Sequence, residues 1–396
     1  MKHLHLLILI GALVIWACSN NKHGSLHMVE INGKQIPLLK FSEVRDTISL
    51  SLSQLLDDVS FIKLETKNDN LLSAGKWSLG KKFFIVFSNK SGIFQFDSEG
   101  KYIRKLVNMG KGPQEILNPI WTISKDESQI YIYDSNSPNG ILCFNLNSGL
   151  YLYRILLTLK GRLKNIYLLN DSILACAPII GTGAPAGKYY IFWQNLAGKF
   201  IQGLPSTEKK GYVVSDQDLL YPVGNYFHYR PVDGDTIFLI KNYQMEPCFI
   251  FDRQNDLSSA QNRVGQTTFS VLAETNDFLI AGTSTIKERV EVGPNAYRSS
   301  GIAAYYYIDK INNKPFLIST FYNDFLGEKQ NPSQLRNQTG DLKYISIEAI
   351  SLLNQINVIK MNSGIKIKNR DEFLKLELGM TENDNPVLLV GKFVNN

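Results

Sequence analysis

The chain has 396 residues, 44 % of them hydrophobic and 20 % charged, with 21 Phe and 19 Tyr. That composition excludes a disordered chain and favours strands, where aromatic side chains are enriched. The formal net charge of +6 comes from Lys and Arg set singly among Asp and Glu, without the basic stripe a nucleic-acid partner would need.

The first eighteen residues have the layout of an export signal. A short basic start (Lys2, His3, His5) leads into the apolar run from Leu6 to Ile15, and the small residue Ala17 precedes Cys18. A cysteine at that place is the layout of a bacterial lipoprotein, with Cys18 acylated and exposed as the mature N-terminus. The apolar run falls short of the roughly 20 residues a membrane span needs. We therefore expect a signal peptide over 1–17, a polar tether over 18–45 and a folded body over 46–396.

The body reads as strands throughout. Ser51 to Val59 forms an amphipathic turn leading into Phe61 to Thr66, where apolar and polar residues alternate with the period of a half-buried strand. A first meander follows in Phe83 to Phe87, Gly92 to Asp97 and Lys101 to Val107, with turn residues between. The layout restarts at Ile130 to Asp134, Ile141 to Asn145 and Leu150 to Leu156, about 45 residues on, close to the length of one propeller blade. Further copies use Ser172 to Cys176, Lys188 to Trp193 and Gly198 to Gln202; then Tyr226 to Arg230, Asp235 to Ile240 and Cys248 to Asp252; then Phe278 to Gly282, Ala303 to Asp309 and Phe316 to Phe321. The last copy takes Tyr344 to Ile347, Gln355 to Lys360 and Pro386 to Phe393. This repeat predicts an all-β, six-bladed β-propeller with the early strand Phe61 to Thr66 completing the last blade. Paired sandwiches would show a linker near the middle, and a β-helix would repeat at about 20 to 30 residues.

Four stretches also resemble a known family: Leu52 to Thr66, the loop Gly110-Lys-Gly-Pro-Gln-Glu115, Asp233 to Phe238, and Glu382 to Leu388. In their order and spacing they are similar to the six-bladed β-propeller lipoproteins, relatives of the NHL-type propellers, of gut-type Gram-negative anaerobes. The resemblance implies the fold and an exported lipoprotein, and brings no catalytic residues with it. Gln114 stands where the family carries a small residue. Ser19 to His23 lacks the acidic residues that accompany surface export in such bacteria, which favours the periplasmic face of the cell envelope.

Candidate functional residues are few. Gly110 to Pro113 lacks the ending of a phosphate loop and reads as a blade-to-blade connector on one rim, where Lys111 and Glu115 are candidate ligand contacts. His228 is the one histidine outside the signal and the tether, so no multi-histidine metal site is expected. Within Tyr226-Phe-His-Tyr-Arg230, read as an inner strand, Tyr226, His228 and Arg230 are candidates for a polar or anionic ligand. The Gly181 to Gly187 stretch reads as a hairpin loop. Asp233, Asp235, Asp309, Asp324 and Asp384 read chiefly as turn formers, although a calcium or magnesium ion in the central channel stays open as a cofactor. Cys143, Cys176 and Cys248 lie in apolar runs and read as buried thiols, with one disulfide between two of them as the alternative. The leading functional reading is a non-catalytic binding or scaffold module, held to a membrane through Cys18, for a protein, peptide or glycan partner. The alternative is a channel-sited hydrolase or lyase using carboxylates or a divalent ion.

Overall fold

The computed structural model describes residues 26–394 except 68–70, 73–74, 139, 180–182, 207–219, 232–233, 253–264, 266, 294–295 and 336–341. The signal, Cys18 and Asp233 lie outside the described residues. Four strands come first: β1 (His27–Ile31), β2 (Lys34–Leu39), β3 (Thr47–Ser51) and β4 (Leu56–Lys63). Blade 1 is β5 (Gly75–Leu79), β6 (Phe83–Ser88), β7 (Gly92–Asp97) and β8 (Tyr102–Asn108). Blade 2 is β9 (Pro119–Ile123), β10 (Gln129–Asp134), β11 (Ile141–Asn145) and β12 (Tyr151–Ile155). Blade 3 is β13 (Leu163–Asn170), β14 (Ile173–Pro178), β15 (Tyr189–Asn195) and β16 (Phe200–Pro205).

Blade 4 is β17 (Leu220–Val223), β18 (Tyr226–Tyr229), β19 (Thr236–Lys241) and β20 (Gln244–Phe251). Blade 5 is β21 (Thr267–Glu274), β22 (Phe278–Gly293), β23 (Ala296–Asp309) and β24 (Lys314–Asn323), with the two-residue β25 (Glu328–Lys329) at its edge. Blade 6 holds β26 (Leu342–Ile347) and β27 (Val387–Phe393), separated by the helices α1 (Ala349–Met361) and α2 (Arg370–Lys375). Each blade is a meander in chain order, and β4 joins blade 6 beside β27 with Lys63 opposite Val387 and Leu56 opposite Phe393. The fold is therefore a six-bladed β-propeller, closed by an N-terminal strand that starts at Leu56, earlier than expected.

Burial sorts the strands by their place in a blade. The middle strands are covered on both faces by neighbouring blades, so β6 (Phe-Phe-Ile-Val-Phe) and β10 (Ile-Tyr-Ile-Tyr) read as unbroken apolar runs and are buried nearly throughout. Six hydrophobic clusters result, one at each blade junction. Ile85, Phe87 and Ile93 meet Ile130, Ile132 and Phe144 between blades 1 and 2, and Phe84, Val86 and Phe94 meet Leu388 and Val390 where blade 6 returns to blade 1. Such interlocking burial of apolar surface, at about 25 cal/mol per Å², supplies the main drive for closing the ring.

Turns press one blade on the next. Asp97 Oδ1 accepts the backbone N–H groups of Glu99 (3.0 Å) and Lys101 (2.8 Å), which tightens the β7–β8 turn. Gly100 in that turn has φ +85°, and a Cβ there would lie 2.5 Å from the Lys63 carbonyl oxygen of β4. Only glycine meets both demands.

Three expectations are corrected. The tether does not extend to residue 45: β1 and β2 form a hairpin, β2 runs parallel to β20 with Leu39 beside Phe251, and β3 runs parallel to β24. Leu26, Ile36, Leu39 and Val44 are buried, so the segment is polar only on its outer side. Second, Gln355 to Lys360 is helical. Its short alternation sits within a longer pattern in which Ala349, Leu352, Ile356 and Ile359 share one buried stripe of α1, a helical period. Third, Tyr226 to Tyr229 is the second strand of blade 4 and not the inner one, which is the short β17.

Candidate functional site

In each complete blade the first strand runs away from the blade-to-blade connector, so these connectors and the turns between second and third strands share one rim. At that rim, between blades 1 and 2, a cleft of about 300 Å³ is lined by Lys111, Gly112, Pro113, Glu115, Asp134 and Arg154. The Gly110 to Glu115 loop is the connector expected from its glycines. Its Glu115 carboxylate turns inward: Oε2 accepts the Gly112 N–H at 2.8 Å, and a Cβ on Gly110 would meet the same oxygen at 2.0 Å. Asp134, buried at the end of β10, accepts the N–H groups of Leu117, Asn118 and Asn136, each at 3.0 Å. Both carboxylates in the wall are thus engaged by backbone donors.

The cations of the cleft are differently placed. Lys111 is exposed on the loop, and Arg154 reaches from β12 to donate to the Pro113 carbonyl. Lys111 and Arg154 balance Glu115 and Asp134 in formal charge, and they supply the cleft's side-chain donors for an acidic group on a ligand. Arg154 was not singled out from sequence, because nothing in Leu-Tyr-Arg-Ile marks it as facing a loop 41 residues earlier. A larger hollow of about 420 Å³ lies at the outer edge of blade 5, against Ile318, Phe321 and Gln330. Its wall from Glu328 to Gln334 belongs to the connector between blades 5 and 6.

The second group of candidates lies between blades 4 and 5. Alternation along β18 sends Phe227 and Tyr229 into the junction with blade 3, and His228 toward blade 5. There His228 Nδ1 stands 3.1 Å from Glu274 Oε1 at the end of β21, close enough for an ion pair but off the direction of a hydrogen bond. Lys310 Nζ lies 2.6 Å from the same oxygen and donates to the Thr275 carbonyl at 2.7 Å; Tyr221 Oη donates to Glu274 Oε2 at 2.8 Å. The Glu274 side chain is only 2 % exposed. Burial by itself would raise its carboxyl, but the Lys310 charge and then His228 outweigh burial and bring it down to about 2. Burial, and then the same carboxylate, hold the Tyr221 phenol well above its usual range.

Of the remaining candidates, Arg230 is buried with its guanidinium carbon 4.7 Å from the Phe269 ring centroid, a cation–π contact across the blade 4–5 junction. Tyr226 is exposed at the start of β18. The structure thus brings His228 together with Glu274, Lys310 and Tyr221, and sets Lys111 and Glu115 apart from them in the blade 1–2 connector. Glu274, Lys310 and Tyr221 were missed because no sequence motif links three residues on different strands. Among the described residues no three His, Cys, Asp or Glu side chains gather as a metal ion would require. Cys143 and Cys176 are buried and Cys248 half-buried, and all three are free thiols.

Six sheets closing through an N-terminal strand, with a polar cleft on one rim, define a β-propeller of the six-bladed class. Residues 35–392 match the family described as a domain of unknown function, DUF4934, and the chain belongs to that family. Among solved structures it is similar to an exported-protein candidate of Bacteroides fragilis, at 16 % identity and a TM-score of 0.65, covering 90 % of this chain and 100 % of that one. At that identity the likeness shows the fold alone. Weaker likenesses carry no argument: BamB of Moraxella catarrhalis (12 % identity, TM-score 0.35, 66 % of this chain and 78 % of that one) and hydrazine synthase of Kuenenia stuttgartiensis (9 %, 0.39, 83 % and 90 %). No curated protein matches the chain in sequence. Among the described residues no helix is long and apolar enough to cross a membrane.

Proposed function

We propose that this protein is an exported, lipid-anchored propeller of the NHL-like kind that serves as a non-catalytic binding or scaffold module. It is held through Cys18 to the periplasmic face of the cell envelope and takes a protein, peptide or glycan partner on the rim that carries the blade-to-blade connectors. The observation that carries the reading is the blade 1–2 cleft, where Glu115 and Asp134 are occupied by backbone donors while Lys111 and Arg154 face outward. That arrangement favours partners bearing carboxylates, such as uronate-containing glycans or acidic peptides. The signal layout around Cys18 supports the anchor, and the description of the B. fragilis protein as exported is in keeping with it.

The test is a binding screen of acidic and neutral glycans and peptides against the wild-type chain and the Lys111→Ala/Arg154→Ala variant. The expected result is binding of acidic members that the variant loses by about 2 to 4 kcal/mol, the scale of two charge-assisted contacts. Binding that ignores both substitutions would refute the cleft. The anchor is tested separately, by palmitate labelling of the wild type and of Cys18→Ala, with label expected only in the former.

A further inference from the structure

The outer walls of the six blades are not alike. Blades 4 and 5 have their fourth strands covered by β2 and β3, whereas β8 of blade 1, β12 of blade 2, β16 of blade 3 and β4 of blade 6 are bare edges. Of these, β12 and β16 carry exposed apolar side chains: Leu150 (66 % exposed), Leu152, Tyr153 and Leu156 (67 %) on blade 2, and Phe200 and Ile201 on blade 3. They adjoin one another. The Leu156 carbonyl oxygen lies 2.8 Å from where a Cβ of Gly198 would stand, two residues before Phe200, and Phe200 packs on Tyr189 with ring centroids 5.9 Å apart. Scattered single hydrophobics need no explanation, but a contiguous set across two blades does.

The charge of the chain segment that holds this patch is one-sided. Between residues 135 and 207 the chain carries six basic residues (Arg154, Lys160, Arg162, Lys164, Lys188 and Lys199) and one acid, Asp171, a net of +5 out of +6 for the whole chain. No two of the basic residues are adjacent, so they form no visible run in the sequence. Lys199 precedes Phe200, Lys188 precedes Tyr189, and the Lys160 carbonyl accepts the Ala186 N–H, which brings the Lys160 loop beside the Lys188 one. Lys160, Arg162, Lys188 and Lys199 are exposed, and none of the four makes an ion pair among the described residues.

We propose that the outer wall of blades 2 and 3 is a membrane-contact surface that rests on an anionic bilayer. Leu150, Leu156 and Phe200 enter the headgroup region, and Lys160, Lys188 and Lys199 pair with lipid phosphates. Leucine and aromatic side chains rimmed by Lys and Arg are the chemistry of interfacial binding, and each basic residue near an anionic surface strengthens it about five-fold.

Every strand and its partners lie within residues 26–394, so a chain beginning at Ser19 keeps the whole ring and removes Cys18 from the measurement. Its co-sedimentation is measured with phosphatidylcholine vesicles made with and without one quarter phosphatidylglycerol. Selective binding to the anionic vesicles is expected, weakened by added salt. The Lys160→Gln/Lys188→Gln/Lys199→Gln variant is expected to lose roughly 100-fold in partitioning, and Leu156→Glu to abolish it, both with unchanged thermal unfolding. Equal binding to the two vesicle types, or a triple variant that binds as tightly as wild type, would overturn the proposal. So would a concentration-dependent dimer lost in Leu156→Glu without any vesicle binding, which would make the patch a contact between two copies.

Discussion

Replacing Lys310 by methionine tests how the blade 4–5 junction is held. The substitution keeps the length of the side chain and removes the nearest cation from a carboxylate that is 2 % exposed. A buried charge deprived of its partner destabilises a protein by about 3 to 5 kcal/mol, and His228, off the hydrogen-bond direction, is poorly placed to replace Lys310. The magnitude has an independent check in pH. The Glu274 carboxyl stands near 2 in the folded chain against 4.5 ordinarily, a difference equivalent to about 3 kcal/mol. Because the folded value is the lower one, this stabilisation is fully present above about pH 4.5 and is lost as pH falls toward 2. Urea unfolding followed by tryptophan fluorescence at pH 7 and near pH 3 measures both arms. Lys310→Met is expected to lower stability at pH 7 by about 3 kcal/mol or more. The Lys310→Met/Glu274→Leu double variant is expected to recover most of the loss, because no charge is then left buried. A Lys310→Met midpoint equal to wild type at pH 7, or a double variant no better than the single, would refute the account of Glu274 as a carboxylate held charged by its neighbours.

Other outcomes follow from the junctions. Asn385 is buried where blade 6 meets blade 1: its Oδ1 accepts the Leu72 N–H at 2.9 Å and its Nδ2 donates to the Glu65 carbonyl at 2.9 Å. Asn385→Ala should cost about 1 to 3 kcal/mol in urea unfolding. Glu127 accepts the N–H groups of Lys81 (2.6 Å) and Lys82 (2.7 Å) in the neighbouring blade, so Glu127→Ala is expected to lower the midpoint of thermal unfolding with the far-ultraviolet spectrum unchanged. Burial raises the thiols of Cys143 and Cys176 and pushes that of Cys248 up to about 12. A thiol reagent at neutral pH should therefore label none of the three in the folded chain and all three after unfolding. A count of one after unfolding would mean a disulfide.

The parts of the fold that could be read from sequence are those where one physical pressure acts alone. The middle strands of each blade are buried on both faces, so Phe83 to Phe87, Ile130 to Asp134 and Ile141 to Asn145 stand out as apolar runs. The inner strands were missed in the first five blades. β5 (Gly-Lys-Trp-Ser-Leu), β9 (Pro-Ile-Trp-Thr-Ile) and β21 (Thr-Thr-Phe-Ser-Val-Leu-Ala-Glu) lie toward the propeller axis and are mostly only partly covered. Their patterning is weak for that reason. The helix α1 was hidden because six residues of alternation fit either period, and only the longer spacing from Ala349 to Ile359 decides. Among site residues, the Gly110 to Glu115 connector was legible from glycine and proline chemistry. The partners of His228 were not, since Glu274 and Lys310 reach it from another blade.

The three strands laid along blades 4, 5 and 6 also impose an order in time. Leu39 pairs beside Phe251, Thr47 beside Leu317 and Lys63 beside Val387, so the stretches made first find their partners only after most of the chain exists, each later than the one before. Contacts of such long sequence separation form slowly. Until then β2, β3 and β4 are open strand edges, able to pair with any other chain. Blade 6 is built from both ends, and loss of β27 at the C-terminus would leave β4 without the strand that locks it in place.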